Sequence, residues 1–130
     1  IYNNPANLFV AQFIGSPPMN IVKGALDGAN FVTHDEKVAV PVKGKVAKAV
    51  LGVRPEDCTI TSPAKSALKA EVYTTELIGD HTLVTTKIGS DMLTVQASKD
   101  YAARSGDKIG INFDKSRLYV FDADGGARIR

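Results

Sequence analysis

The chain has one cysteine, no tryptophan and two histidines, and these scarcities remove several chemistries at once. Cys58 alone cannot form an internal disulfide, and such sparing use of cysteine fits a reducing compartment. Zinc ligands carried on one element need short spacings, whereas His34, Cys58 and His81 lie far apart in the chain. No charge sign dominates either. Sixteen Lys and Arg against fourteen Asp and Glu leave a formal net charge of +2, well short of the excess typical of electrostatic binders of nucleic acid or anionic membranes. Long apolar runs are missing: the longest, Leu8 to Ala11, is far below the roughly 20 residues needed to cross a bilayer. Residues 1–14 lack the basic n-region and small-residue cleavage pattern of a secretory leader. Also missing is a phosphate loop. Gly44-Lys45 is followed by Val46 and preceded five positions earlier by Ala39, so a Gly-x-x-x-x-Gly-Lys-Ser/Thr cradle for nucleotide phosphates cannot form.

The composition, 44% apolar with 23% charged, is that of an ordinary globular chain. Asn4 to Asn20 reads as a short apolar helix and its exit. Asn4 suits the N-cap and Pro5 the first helical position, Gly15 can close the helix, and Pro17-Pro18 forbids its continuation. Leu8, Phe9, Val10, Phe13 and Ile14 cover most of that helix, leaving mainly Asn7 and Gln12 for water, so it is expected to pack on a part of the protein outside this sequence. After Asn20 the pattern alternates. Ile21 to Asp27 and Asn30 to Thr33 read as strands around an Asp27-Gly28 hairpin turn. Thr33 to Lys37 reads as a polar turn, Val38 to Val40 as a strand, Pro41 to Lys48 as a lysine-dotted connection and Ala49 to Val53 as a buried strand. Arg54 to Asp57 turns the chain into Cys58 to Thr61, and Ser62 to Ala67 reads as a linker. Beyond it, Leu68 to Ile78, Thr82 to Ile88, Met92 to Ala97, Lys108 to Phe113 and Arg117 to Phe121 read as strands. A helical turn is expected at Ser98 to Arg104.

Three strands, a short helix and two strands are the plan of an OB-type small barrel, so the expected fold is mainly β with extra strands and a short N-terminal helix. The period of two puts Val84, Thr86 and Ile88, then Leu93, Val95 and Ala97, then Ile109, Ile111 and Phe113, then Leu118 and Val120 on the core face. Tyr119 and Phe121 make the last strand apolar on both faces, which calls for a second layer that the first half of the chain can supply.

Pro5, Asn7, Phe9 to Ala11, Phe13 to Pro17 and Met19-Asn20 resemble the segment that leaves the nucleotide-binding domain in carbohydrate-importer ABC ATPases of the maltose and glycerol-3-phosphate type. Leu51 to Glu56, with Arg54, Pro55 and Glu56, resembles a second signature of that family. Glu76 to Gly79 and Phe121-Asp122 resemble its TOBE module. Asp57 stands where the family often has His. The resemblance implies that residues 1–20 are the end and hinge of an ATPase domain. Residues 21–130 would then be a regulatory TOBE domain, with a first strand set over 21–61 and an OB-like set over 68–122. Its signature positions here are Phe13, Gly15, Pro17, Met19, Asn20, Arg54, Pro55, Glu56, Glu76, Gly79, Phe121 and Asp122. It implies no cofactor in this stretch, ATP and Mg in the parent subunit, a homodimer, an ATPase domain in cis, transmembrane permease subunits, a cytoplasmic regulatory protein and a place at the inner face of the membrane.

Tested for chemistry of their own, the residues offer little. Asp35-Glu36 and Glu56-Asp57 are adjacent carboxylates whose side chains diverge, unlike an acid and base converging on one bond. Cys58 reads as a small core residue. His34 and His81 read as turn residues. Lys43, Lys45 and Lys48 have no aromatic neighbour, and Tyr119 and Phe121 have only Arg117 nearby, which argues against single-stranded nucleic acid. TOBE modules are similar to domains that bind molybdate, and Thr74, Thr75, Ser98 and Lys99 are the matching residue types here. A stand-alone oxyanion-binding protein is therefore the rival reading, and a nucleic-acid-binding barrel the third.

Overall fold

A computed structural model describes residues 18–34 and 36–130. The helix expected from Asn4 lies outside them, as do Phe13, Gly15 and Pro17. The described residues form nine strands: β1 (Asn20–Thr33), β2 (Glu36–Val53), β3 (Cys58–Thr61), β4 (Leu68–Ile78), β5 (His81–Ile88), β6 (Asp91–Ser98), β7 (Lys108–Phe113), β8 (Tyr119–Asp122) and β9 (Arg128–Ile129). They form two antiparallel sheets, one ordered β1-β2-β8-β9 and the other β3-β7-β4-β5-β6. In the second sheet β6 also lies beside β3, which closes an OB-type barrel. The sheets cross the linker: β3 belongs to the second and β8 to the first.

In the first half the strands are longer than the sequence pattern indicates. Asp27-Gly28 is not a hairpin turn; β1 runs straight through it, and the chain reverses at His34, with Thr33 paired to Glu36. Gly28 has φ +63 and sits where the β1–β2 register slips, so its left-handed backbone serves a bulge. Pro41 to Lys48 is not a connection but part of β2. Gly28 pairs with Gly44 and Asn30 with Ala39, so Val40 to Lys43 stand opposite the single residue Ala29. A proline, which has no N–H to donate, is tolerated in that interruption of the ladder.

In the second half β4 and β7 run over the residues expected, and β5 and β6 differ from expectation only at their ends. The helical turn at Ser98 to Arg104 is absent. Tyr101 and Ala103, two apart, both pack against the core, which is the spacing of extended chain. The Asp107 carboxylate accepts from the Arg104 N–H at 2.9 Å and holds the return into β7. Arg117 ends a 3-10 turn, Lys115–Arg117, and β8 begins only at Tyr119.

The main core joins both sheets through Val22, Leu26, Phe31, Leu51, Leu68, Val84, Leu93, Val95, Ile111 and Val120. Every position assigned by the period of two is buried except Ala97 and Phe113, which pack at its margin. A second cluster, Met19, Val50, Tyr119 and Phe121, lies on the other face of β8. The last long strand is thus buried on both faces, as its double apolar pattern requires.

Candidate functional site

The signature positions fall into two groups. The first gathers at the seam of the sheets. Asn20, 8% exposed, donates from Nδ2 to the Thr94 carbonyl at 2.7 Å and accepts at Oδ1 from the Thr94 N–H at 2.8 Å. One side-chain amide thereby imitates a paired strand and fastens the β1 edge to the β6 edge. Arg54 is buried, with its guanidinium carbon 5.8 Å from the Tyr119 ring centroid. Arg128 approaches the same ring at 4.6 Å. Pro55 is the buried first residue of the 3-10 turn Pro55–Asp57, and Glu56 is exposed at its middle. Met19 and Phe121 are buried together, and Asp122 accepts from the Asp124 N–H at 2.8 Å. Packing and backbone bonding thus account for the placement of Met19, Asn20, Pro55, Phe121 and Asp122.

Asn20→Asp probes the seam directly. The acceptor for the Thr94 N–H survives, but a carboxylate oxygen then faces the Thr94 carbonyl. The expected loss is about 1–3 kcal/mol at neutral pH. Protonation restores a donor, so the folded-state pKa of the introduced carboxyl rises. The deficit relative to the native chain is then smallest in acid and grows as pH rises through that raised value. Urea titrations of both chains at several pH values measure it; a pH-independent deficit would contradict the pairing.

The second group, Glu76 and Gly79, lies on a hairpin that projects from the barrel. Glu71 pairs with Lys108 of β7, and Val72 still bonds the loop before β7: its N–H donates to the Asp107 carbonyl at 2.9 Å, and its carbonyl accepts from Gly106 N–H at 2.8 Å. From Tyr73 onward β4 has a partner among the described residues only in β5. Every residue from Tyr73 to Asp80 is exposed, with Tyr73 at 49%, Leu77 at 64% and Ile78 at 42%. Gly79, φ +62, opens the two-residue turn between Ile78 and His81, where a type II′ turn needs glycine.

A charged cleft of about 650 Å³ lies between the β1–β2 reversal and the second sheet, lined among others by His34, Glu36, Lys69, Glu71, Lys87 and Lys108. Its charges are largely paired. Both Glu36 oxygens accept from the Lys69 N–H at 3.1 Å, with Lys69 Nζ 3.6 Å away. Lys108 binds Glu71, and that hydrogen bond holds the Glu71 carboxyl below its ordinary range. Lys87 Nζ sits 4.5 Å from the Tyr73 ring centroid. His34 Nε2 lies 3.3 Å from Asp91 Oδ2, which also accepts from the Lys23 N–H at 3.2 Å, so this turn histidine docks one sheet on the other.

The remaining candidates stay apart. Thr75 pairs with Val84, and Ser98 with His81, three pairs further along the ladder. Thr74 and Thr75 are therefore about 10 Å from Ser98 and Lys99 along the strands alone. Cys58 is 2% exposed and donates to the Arg54 carbonyl; burial raises its thiol pKa strongly, so the thiolate nucleophile is suppressed. Asp57 is raised by burial, then by Glu56, at the turn. No cluster of three or more His, Cys, Asp or Glu among the described residues could hold a metal ion. No helix among them is long and apolar enough to cross a membrane. Sequence reasoning missed the cleft and the open β4 edge, because both depend on which strands become neighbours.

Two family models match, the TOBE domain over residues 51–121 and the MalK OB fold domain over residues 15–58. An uncharacterized ABC transporter ATP-binding protein, YcjV, of Escherichia coli O6:K15:H31 (strain 536 / UPEC) is 37% identical over 95% of this chain and 37% of its own length. The sn-glycerol-3-phosphate import ATP-binding protein UgpC of Escherichia coli O157:H7 is 31% identical over 99% of this chain and 38% of its own length. The chain thus spans less than two fifths of these relatives. Among solved structures, the cytoplasmic molybdate-binding protein ModG superposes with a TM-score of 0.66 at 13% identity, covering 78% of this chain and 94% of that one. At that identity the likeness is one of fold. The barrel, its seam residues and a family match over more than half of the sequence agree: the chain belongs to the TOBE domain family, with a MalK-type OB fold segment leading into it.

Proposed function

We propose that this chain is the regulatory and dimerisation region of the ATP-binding subunit of an ABC importer for sugars, polyols or glycerophosphates. Residues 1–20 would form the end and hinge of the nucleotide-binding domain, and residues 21–130 the regulatory domain. The observation that carries the reading is the run of two family matches from residue 15 to residue 121, shared with ATP-binding subunits more than twice as long. ATP and Mg then belong to the parent subunit and not to this region, and permease subunits place the assembly at the inner face of the membrane. The role is mechanical. A lasting contact between two such regions raises the effective concentration of the attached ATPase halves for each other. A cytoplasmic regulatory protein that binds one arrangement better shifts the open–closed balance by its difference in affinity.

Sedimentation equilibrium and ATP binding test the proposal together. The expected result is a species of twice 13.9 kDa at high protein concentration, with no saturable binding of labelled ATP in the micromolar range. A monomer would remove the dimerisation role, and tight ATP binding would contradict the assignment of catalysis to another part of the subunit.

A further inference from the structure

The outer face of β1 and β2 carries a groove of about 370 Å³, bounded by these two strands and the turn after β8. Its floor is apolar. Ile21, Val50 and Ala123 line it with side chains, whereas Gly24 and Ala49, paired with each other, line it with backbone: the Ala49 methyl belongs to the main core, and a Cβ on Gly24 would point inward to within 2.7 Å of Phe31 Cζ. The Ala123 N–H donates to the Lys48 carbonyl at 3.0 Å and fixes the third wall. The rim is basic. Lys23 stands opposite Val50 in the ladder and Lys48 precedes Val50 by two residues, so both stems flank one valine on one face. Ala47 and Lys48 together oppose the single residue Ala25, a bulge of the kind that re-aims a side chain. In the charged cleft described above, glutamates answer the lysines. Here no acidic residue lines the groove, and neither Lys23 nor Lys48 belongs to an ion pair among the described residues, although Asp122 and Asp124 line the neighbouring hollow beside Lys48.

We infer that this groove binds a free carboxylic acid anion with an apolar body, an alkyl or aryl carboxylate whose head meets Lys23 and Lys48. The inference goes beyond the importer reading above and needs no second copy of the chain. The lining selects the ligand from both ends. A sugar or polyol would bring hydroxyl groups onto a floor with no polar side chain to pair them, which costs each buried hydroxyl its hydrogen bonds to water. An apolar chain or ring loses nothing there and gains the burial of its surface. At the rim the two lysine stems extend the apolar walls while their ammonium groups stay in water, so a single negative head at the mouth is met by two positive charges with no carboxylate in the lining to compete. The volume lies in the lower part of the range of small-molecule pockets, roughly 300–1,000 Å³, which suits a compact acid and not a nucleotide. A ligand seated there would touch β1, β2 and the turn after β8 at once and so brace the outer face of the first sheet.

Calorimetric titration of the full 130-residue chain with decanoate, below the concentration at which it forms micelles, tests the site. Saturable binding at one site is expected. Decyltrimethylammonium, with the same chain length and the opposite charge, is expected to bind about tenfold more weakly or worse. Lys23→Glu combined with Lys48→Glu is expected to reverse that order, weakening decanoate about tenfold or more and favouring the cation. Both lysines are exposed, so the variant is expected to keep the native thermal transition. Ala123→Phe, at an exposed position in the groove wall, is expected to fill the groove and abolish binding of either probe. Absence of saturable decanoate binding to the native chain overturns the inference, as does equal affinity for the two probes or an unchanged preference in the charge-reversed variant. Native decanoate affinity in a folded Ala123→Phe chain would place the bound acid elsewhere and overturn the assignment to this groove.

Discussion

Phe121→Ala is expected to cost about 3–5 kcal/mol, the range for truncating a fully buried aromatic side chain. Phe121 is 0% exposed although it belongs to the minor cluster, facing away from the main barrel core. Its ring lies where a Cβ on Gly52 would come within 2.9 Å, and Met19 fills the remaining space beside the same glycine. Gly52 pairs with Tyr119 across the β2–β8 ladder, so ring, sulfur and bare backbone interlock at one place. Removing the ring leaves a cavity over Gly52 that rigid backbone cannot close. Urea unfolding of the native and Phe121→Ala chains measures the loss, and Phe121→Leu, which refills part of the volume, is expected to recover more than half of it. A loss below about 1 kcal/mol would show that β8 is covered on one face only.

The burial of β8 on both faces was legible because Leu118 to Phe121 has no polar position to offer water. The OB-like strands were legible for a similar reason. Their alternation is regular, and the two-residue turns that join them open on Gly79 and Gly89. The first half was harder because the same local chemistry serves two ends. A glycine with positive φ makes a hairpin turn or a bulge, and Gly28 makes the bulge. Pro41 breaks a ladder wherever it occurs, and sequence cannot say that β2 resumes after the break. Ser98 to Arg104 has helical composition, yet Tyr101 and Ala103 are pulled to the core as extended chain by contacts far away in sequence. The site residues follow the same division. Asn20 was visible as a family signature, but its bond to Thr94 joins residues 74 positions apart. The open edge at Tyr73 to Ile78 exists because β7 begins only at Lys108, opposite Glu71. Lys69, Lys87 and Lys108 meet only because β5, β4 and β7 are neighbours.

Ile111→Ala is expected to cost about 2–5 kcal/mol, and its neighbours explain why the upper part of that range applies. Ile111 is 0% exposed at the middle of β7, and β7 is flanked on both sides. Ile60 of β3 stands opposite it on one side and Leu68 of β4 on the other. Three aliphatic side chains therefore lie side by side across three strands, and deleting the central one removes packing from both neighbours. The ladders on both sides hold the backbone apart, so collapse into the cavity is limited. Ile109, 8% exposed two residues earlier, lies opposite Ala70 and at the margin of the charged cleft. Truncation there opens to solvent and is expected to cost clearly less than truncation at Ile111. Equilibrium unfolding of the two alanine variants supplies the comparison. Equal losses would mean that the barrel interior is no better packed than its rim, and a loss at Ile111 within about 0.5 kcal/mol of native, the range of neutral surface changes, would place β7 on the wrong face.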